Sequence, residues 1–410
     1  APTSTQEEVL GVISTELDYW RENPRSATSV LSSLTRHRLP CIARHVLEVM
    51  LERGVQVDVI HCNAAISACE KGRQWQLALC LLSRMPEMEV IPDEISYNAA
   101  ISACGKGGQW QLALDLLSSM PGARLVPDNI SCNAAMSACE KGGQWQLALG
   151  LLSSMPNMRL TPNTISYNSA ISACEKGLQW QLALALLSVM PGTRAIPNEV
   201  SYSAAISACE KCWQWQLALG LLASMPERRV TPNAISFNAA ISACEKAMQW
   251  QLALGLLDAM PKNMIVRDAI SYNAAISACE KGEQWQLALL LCSNMHETRI
   301  APNAITYSAA ISACEKGEEW QLALGLLSGM PGRAVLANAI TYNAAISACE
   351  KCWQWQLALG LLSSMLEVKI LPNKVTYNAA ISACEKGLQW EVAMRLLSSM
   401  SKATIACDKI

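Results

Sequence analysis

A unit of 35 residues recurs ten times without a gap from Val59 to Asp408, and this fixed period limits what the chain can fold into. A typical copy, from Thr164 to Asn198, reads TISYNSAISACEKGLQWQLALALLSVMPGTRAIPN. A constant period over most of a chain predicts a stack of one repeated module, each module burying its apolar face against its neighbours. Functional differences are therefore expected at the few positions that vary between copies.

Each unit is predicted to form two antiparallel helices, because apolar residues recur twice at helical spacing. In the fourth copy the first set is Tyr167, Ala170, Ile171 and Cys174. The second set is Trp180, Ala183, Leu184, Leu187 and Met190. Gly177 is predicted to take a left-handed cap after the first helix, and Pro191 to end the second. The fold class expected is all-α, a right-handed α-solenoid of stacked antiparallel helix pairs.

The ten repeats occupy residues 59–408, and other segments lie before and after them. Residues 1–23 are predicted to hold an N-terminal capping helix, from Gln6 to Trp20. Residues 24–58 fit the same frame as a divergent repeat, as expected of a terminal unit with one face toward solvent. Residues 409–410 begin an incomplete unit, and the initial Ala1 indicates a processed or partial product.

Net charge, the length of apolar runs and the lack of catalytic motifs limit the classes of function expected for this chain. The net charge of -2 gives no overall attraction to nucleic acid or anionic lipid. Polar residues interrupt every helix before the roughly 18 to 20 apolar residues that a membrane span needs. The four histidines are scattered, and neither a repeated carboxylate cluster nor a Gly-rich phosphate loop is present in the sequence. We therefore expect no membrane span, no catalytic site, no metal and no cofactor.

Ten cysteines occupy one repeat position on the apolar face of the first helix, which is typical of small buried thiols. They are Cys69, Cys104, Cys139, Cys174, Cys209, Cys244, Cys279, Cys314, Cys349 and Cys384. Two Cys-Glu-Lys-Cys pairs, Cys209 with Cys212 and Cys349 with Cys352, lie four repeats apart in the sequence. A structural zinc needs four ligands, so these pairs are not predicted to form metal sites.

Ten tryptophans begin the apolar stripe of the second helices, which favours a core position over base stacking. They are Trp75, Trp110, Trp145, Trp180, Trp215, Trp250, Trp285, Trp320, Trp355 and Trp390. Trp213 and Trp353 lie outside the stripe and are predicted to be surface residues of the turn.

The constant period of 35, Tyr-Asn early in the first helix and Pro-Asn or Pro-Asp at the end of each unit resemble the pentatricopeptide repeat (PPR) family. The resemblance covers residues 24 to 408, and the uniform length is that of the P-type arrays. It implies sequence-specific binding of single-stranded RNA, one base per repeat, without enzymatic activity. It also implies action on a chloroplast or mitochondrial transcript, affecting its stability, processing or translation. A protein-binding helical scaffold is the alternative, and no clear transit peptide is visible.

The resemblance places two base-reading residues in each repeat. The first-helix reader maps to Asn63, Asn98, Asn133, Asn168, Ser203, Asn238, Asn273, Ser308, Asn343 and Asn378. The reader at the end of the repeat maps to Asp93, Asp128, Asn163, Asn198, Asn233, Asp268, Asn303, Asn338, Asn373 and Asp408. The divergent unit offers Thr28 with Asp58.

The chemistry of these side chains makes a base assignment possible. Asp only accepts hydrogen bonds and suits the ring N–H of uracil or guanine, whereas Asn also donates and suits the ring nitrogen of cytosine or adenine. In the family, Asn in the first helix goes with pyrimidines, and Ser or Thr with purines. The resulting hypothetical ligand is 5'-GUUCCAUCACU-3'. As an alternative, an Asn or Asp after Pro is an ordinary turn or N-cap residue.

Beside the readers, the family places an aliphatic residue that sandwiches bases between neighbouring repeats. It maps to Ile60, Ile95, Ile130, Ile165, Val200, Ile235, Ile270, Ile305, Ile340 and Val375. Packing of these side chains on the preceding helix, as a hydrophobic staple, is an alternative compatible with the first.

A lysine ends every first helix, one cation for each nucleotide, and is predicted to contact phosphate. These residues are Lys71, Lys106, Lys141, Lys176, Lys211, Lys246, Lys281, Lys316, Lys351 and Lys386. The adjacent glutamates are expected to point elsewhere, by about 100° of helix rotation. A cation that only complements the helix dipole is the alternative.

Overall fold

The computed structural model describes residues 17–193, 195–333 and 335–407. The chain divides into two compact units, a first unit of residues 1–208 and a second unit of residues 209–410. Every regular element of the described residues is a helix. The predicted all-α class of an α-solenoid is thereby confirmed.

Each of the ten repeats forms two helices, a first helix of 13 residues and a second helix of 10 to 18 residues. The first helices are Val59–Lys71, Glu94–Lys106, Asn129–Lys141, Thr164–Lys176, Glu199–Lys211, Ala234–Lys246, Ala269–Lys281, Ala304–Lys316, Ala339–Lys351 and Lys374–Lys386. The second helices are Trp75–Arg84, Trp110–Ser119, Trp145–Ser154, Trp180–Val189, Trp215–Glu227, Trp250–Lys262, Trp285–Glu297, Trp320–Gly329, Trp355–Glu367 and Trp390–Cys407.

Short 3₁₀ helices extend five of the second helices: Pro86–Met88, Pro121–Ala123, Met155–Met158, Met190–Gly192 and Pro331–Arg333. Pro191 was predicted to end the second helix of the fourth repeat, and that helix ends at Val189. The equivalent Pro226 and Pro261 lie inside their second helices, so proline does not end the helix in every repeat that carries it. Both helices end one residue after the proline, at Glu227 and Lys262.

Upstream of the repeats, the divergent repeat also forms a helix pair, Arg25–His37 and Pro40–Glu52. A short helix, Leu17–Glu22, precedes it, and its Trp20 is 1% exposed. The part of the predicted capping helix before Leu17 lies outside the described residues, as do Asp408 and the two residues after it.

Small side chains let neighbouring helices approach closely. Within each compact unit, a first helix packs on the first helix of an adjacent repeat and on the second helices beside it. Ala170, Ile171 and Cys174 are fully buried in this contact, as the periodicity predicted. On the second helix, Ala183 and Met190 are fully buried as well. The interior therefore lies between the layer of first helices and the layer of second helices.

The left-handed residue after the first helix is not the predicted glycine. Gly177 has a φ of -80°, whereas Leu178, the next residue, has a φ of 57°. A Cβ on Gly177 would overlap Cδ1 of Trp145 in the preceding repeat. The glycine is thus explained by close approach to an indole ring, and the prediction of a left-handed Gly177 was wrong.

The same contact explains the position of the tryptophans. Trp145 is partly buried beside Gly177, at the boundary between two repeats, rather than enclosed in the core. Trp390, which has no following repeat within the described residues, is 71% exposed. Trp213 and Trp353 are 63% and 65% exposed, so their prediction as surface residues is confirmed.

The ten cysteines at the repeated position of the first helix are all buried free thiols, as predicted. Cys139 and Cys174 are fully buried, and burial raises the pKa of each thiol to about 11. Among the described residues no group of His, Cys, Asp and Glu has an arrangement that could hold a metal ion. Nor does any helix there have the length and apolar character to cross a membrane.

Replacing Met155 by Ala is expected to destabilise the third and fourth repeats by about 2 to 5 kcal/mol, because a fully buried side chain is lost and a cavity remains. Met158 lies in the same 3₁₀ helix and is 40% exposed, so Met158→Ala is the matched control, with an expected change below about 1 kcal/mol. Chemical denaturation and amide hydrogen exchange measure both. Equal effects of the two variants would contradict the described packing.

Candidate nucleic-acid interface

The residue that ends each repeat caps the first helix of the next one. Oδ1 of Asp93 accepts a hydrogen bond from the backbone N–H of Ser96 at 2.9 Å, and Oγ of Ser96 accepts one from the N–H of Asp93 at 3.2 Å. The same reciprocal cap is formed at Asp58, Asp93, Asp128, Asn163, Asn233, Asp268, Asn303, Asn338 and Asn373. The N-cap alternative is therefore confirmed, and it leaves open whether these residues also read bases.

In seven repeats the end residue also accepts a hydrogen bond from the Asn that the family pattern marks as its partner. Asn63 Nδ2 donates to Asp93 Oδ1 at 3.0 Å, and Asn168 Nδ2 donates to Asn198 Oδ1 at 3.2 Å. The other pairs are Asn98 with Asp128, Asn133 with Asn163, Asn238 with Asp268, Asn273 with Asn303, and Asn343 with Asn373. The two predicted readers of each of these repeats are thus in direct contact.

A hydroxyl missed by the sequence reasoning holds the other end of the Asn amide. Ser201 Oγ donates to Asn168 Oδ1 at 2.5 Å, and Thr306 Oγ1 donates to Asn273 Oδ1 at 2.6 Å. The signal in the sequence is the Ser or Thr at the third position of every regular repeat except the first, where it is His61. Because both ends of the amide are bonded, the Asn side chain has a fixed orientation before any ligand arrives.

Two repeats depart from this arrangement. Where the end residue is Asp128 or Asp268, the following Ser131 or Ser271 donates to the backbone carbonyl of that Asp. Oδ1 of Asn98 and Oδ1 of Asn238 are then buried without a hydrogen-bond partner. Each is an acceptor whose burial costs free energy.

The remaining predicted readers are placed differently. Ser308 Oγ donates to the carbonyl of Ala304 in its own helix at 2.7 Å and makes no bond to Asn338. In the divergent repeat, no hydrogen bond joins the described side chains of Thr28 and Asp58. Ser203, the predicted first-helix reader of the fifth repeat, is buried, with 6% of its surface exposed. The partner of Asn378, Asp408, lies outside the described residues.

In the second, third and fourth repeats the end residue has one side-chain atom that takes part in no hydrogen bond. All hydrogen bonds to the side chains of Asn163, Asn198 and Asp128 involve Oδ1. The backbone N–H of the cap requires an oxygen there, so the second atom is fixed as Nδ2 in Asn and Oδ2 in Asp. These three repeats therefore offer either a donor or an acceptor beside their Asn. In the sixth repeat, Oδ2 of Asp268 also accepts a hydrogen bond from Asn238 Nδ2, at 3.1 Å.

The aliphatic residues beside the readers are exposed. Ile60, Ile95, Ile130, Ile165, Val200, Ile235, Ile270, Ile305, Ile340 and Val375 are 51% to 64% exposed, which does not fit a buried staple. In the first unit, Ile95, Ile130 and Ile165 line one groove of about 520 Å³ together with Asn98 and Asn133. Aliphatic and amide side chains thus alternate on a single surface, at a spacing of one repeat.

The lysines at the helix ends are largely paired with glutamates of the preceding repeat. Lys106 Nζ lies 2.8 Å from Glu70 Oε1, and Lys281 Nζ lies 2.9 Å from Glu245 Oε1. The same pair joins Lys176 to Glu140, Lys246 to Glu210, Lys316 to Glu280, Lys351 to Glu315, and Lys386 to Glu350. The expectation that the glutamates point elsewhere was wrong, because the offset between stacked helices brings each one beside the next lysine.

Family comparisons agree with these repeats. The model described as the PPR repeat family matches residues 127–176, 197–246, 267–316 and 337–386. The pentatricopeptide repeat domain matches residues 45–107, and the PPR repeat matches residues 95–125, 165–192, 235–265, 305–335 and 375–405. The chain belongs to the pentatricopeptide repeat family.

A solved structure of low sequence identity shares the fold. The pentatricopeptide repeat protein PPR10 in complex with an 18-nt psaJ RNA element is 18% identical, with a TM-score of 0.70. That match covers 98% of this chain and 62% of PPR10, so this chain spans less than two thirds of that protein. Yeast Rmd9p in complex with a 16-nt target RNA is 10% identical, with a TM-score of 0.34, over 93% of this chain and 88% of Rmd9p. No curated protein matches the chain.

Asp128→Asn is expected to leave the free energy of unfolding within about 0.5 kcal/mol of the parent, because Asn163 and Asn198 show that an amide oxygen can make the same cap. Asp128→Ala removes the cap and the contact with Asn98, and is expected to cost about 1 to 2 kcal/mol. Urea denaturation of the three proteins measures this. A loss for Asp128→Asn as large as that for Asp128→Ala would show that the second atom also has a structural role.

Proposed function

We propose that the chain binds single-stranded RNA in a sequence-specific manner, one base per repeat, and does so without enzymatic activity. The single observation that carries the proposal is the pair of polar side chains in contact, repeated at a period of 35 residues and flanked by exposed aliphatic residues. Membership of the family supports it, as does the RNA complex of PPR10. Within a chloroplast or mitochondrion, such binding would affect the stability, processing or translation of a transcript.

The unused atom of the end residue supplies base selectivity. Nδ2 of Asn198 is a donor and suits the unprotonated ring nitrogen of cytosine, whereas Oδ2 of Asp128 is an acceptor and suits the ring N–H of uracil. The first-helix residue would add size selection, since the side chain of Ser308 is smaller than that of Asn168 and leaves more room for a purine. The order of these residues supports the ligand 5'-GUUCCAUCACU-3', in which the fourth repeat reads the fifth base.

The exposed aliphatic row supports the stacking part of the proposal. Each of Ile95, Ile130 and Ile165 presents more than half of its surface to solvent. Burying that surface against the two faces of a base is favourable by about 25 cal/mol for each Å² of apolar area removed from water. This contribution does not depend on base identity, so it adds affinity while the polar atoms discriminate.

The ion pairs limit what the lysine row contributes. Lys281 must share its charge between Glu245 and any phosphate, so it neutralises a phosphate less effectively than a free cation does. In the first unit, Lys71 and Lys141 form no ion pair with another described residue, so their charge is the most available to a phosphate group.

Asn198→Asp is expected to move the preference at the fifth base from C to U. The carboxylate replaces a donor by an acceptor, which leaves two acceptors facing each other when the base is cytosine, at a cost of about 1.4 kcal/mol or tenfold in Kd. Fluorescence anisotropy with the four RNAs 5'-GUUCXAUCACU-3', where X is each base, measures the exchange.

Asn163→Asp is the matched control, since it makes the same change one repeat earlier and should alter only the fourth base. An unchanged preference for C with Asn198→Asp would contradict the proposal. So would an equal loss of affinity for all four RNAs, as expected of a protein-binding scaffold that binds RNA through charge alone.

A further inference from the structure

A basic pocket lies at the end of the first helices in the first unit. It has a volume of about 510 Å³ and is lined by Arg38, Lys71, Arg73, Lys106 and Lys141. All five lining residues are cations, from the divergent repeat and the first three regular repeats. Such a concentration of one sign in one cavity attracts multiply charged anions.

Two departures from the repeat sequence create the pocket. Position 12 of a repeat is Glu in nearly every copy and pairs with the lysine of the next repeat, but it is Gly105 in the second repeat and Thr35 in the divergent repeat. Lys141 and Lys71, which belong to the repeats that follow these two residues, accordingly form no ion pair with another described residue. Of the three lysines that line the pocket, only Lys106 has an ion-pair partner, Glu70.

The arginines occupy the left-handed position that follows each first helix. Arg38 and Arg73 have φ values of 58° and 56°, and their guanidinium groups complete the pocket wall. In the second unit the same repeat position carries Glu283 and Glu318. The distribution of charge at this position thus differs between the two units, although the helices themselves are nearly identical in sequence.

Two of the three lysines of the pocket, Lys71 and Lys141, have no ion-pair partner among the described residues, and Lys141 also lies near other cations. The pKa of Lys141 is lowered by burial and, to a smaller extent, by the positive charges of Lys106, Lys176 and Arg73, while Glu140 opposes the shift. Bringing an anion into the pocket would offset this repulsion. An arginine matches the geometry of phosphate oxygens through two parallel N–H donors, and there are two arginines here.

We propose that this pocket binds the 5'-terminal phosphate of the RNA. The inference rests on the proposed function, which places the 5' end of the RNA at the divergent repeat. A terminal phosphate monoester carries between one and two negative charges near neutral pH, against one for each internal phosphodiester. Five cations exceed what one lysine per nucleotide supplies over the same repeats. The pocket therefore distinguishes an RNA end that carries phosphate from one that carries a hydroxyl.

The test compares 5'-GUUCCAUCACU-3' with a 5'-hydroxyl, a 5'-phosphate, or a 3'-phosphate, by fluorescence anisotropy at one ionic strength. The 5'-phosphate is expected to tighten binding about fivefold, whereas the 3'-phosphate, which adds the same charge at the other end, should change it by less than about twofold. No gain from the 5'-phosphate overturns the proposal. An equal gain from both phosphates overturns it as well, since charge alone would then explain the effect.

Two variants test whether the basic pocket causes the gain in affinity from the 5'-phosphate. Arg73→Ala removes an exposed side chain of the pocket wall, and Gly105→Glu restores the usual carboxylate beside Lys141; each is expected to abolish the 5'-phosphate preference. The added Cβ of Gly105→Glu would lie 3.0 Å from Ala138 Cβ, so Arg73→Ala serves as the variant that leaves packing untouched. Glu280→Gln, which frees Lys316 in the second unit, is the matched control and should preserve the preference. A preference that survives both pocket variants overturns the proposal.

Failure of this inference can be distinguished from failure of the proposed function. Discrimination between 5'-GUUCCAUCACU-3' and a scrambled RNA, both with 5'-hydroxyl ends, tests base reading without involving the terminal phosphate. The effect of phosphorylation at constant sequence tests the pocket. Retained sequence discrimination without a phosphate effect would therefore overturn the pocket alone.

Discussion

In seven repeats one oxygen atom, Oδ1 of the last residue, joins the stacking of helices to the surface where bases are proposed to bind. In the fourth repeat, Oδ1 of Asn198 accepts the N-cap hydrogen bond of the next first helix and the amide N–H of Asn168. Asp and Asn both provide this oxygen, so either satisfies the fold. The second side-chain atom is then free to differ, and selectivity can change while the helices stay in place.

Residues that do not vary between repeats keep helix packing separate from the proposed base reading. Ala173 and Cys174 are fully buried and bring successive first helices together, while Gly177 receives the indole of Trp145. None of these contacts involves the side chains of Asn168 or Ile165. Glu–Lys ion pairs between successive repeats neutralise most lysines at the ends of the first helices. Gly105 replaces the glutamate in one copy, and Lys141 therefore has no ion-pair partner among the described residues.

Periodicity alone predicted the helix pairs, the buried thiols and the exposed Trp213 and Trp353, because these depend on spacing within one repeat. Three features could not be predicted in this way. The pairing of Lys106 with Glu70 and the contact of Trp145 with Gly177 depend on the offset between stacked repeats, which the sequence does not display. Contact between Asn168 and Asn198 depends on how the next helix begins, and the serine that fixes the amide belongs to the following repeat.

The most direct test of base reading is selection of RNA from a pool randomised at eleven consecutive positions, followed by sequencing of the bound fraction. We predict enrichment of U where a repeat pairs Asn with Asp, of C where it pairs Asn with Asn, and of A where it pairs Ser with Asn, in the order of the repeats. Enrichment that does not follow this order, or no enrichment at any position, would contradict the proposed reading of one base per repeat.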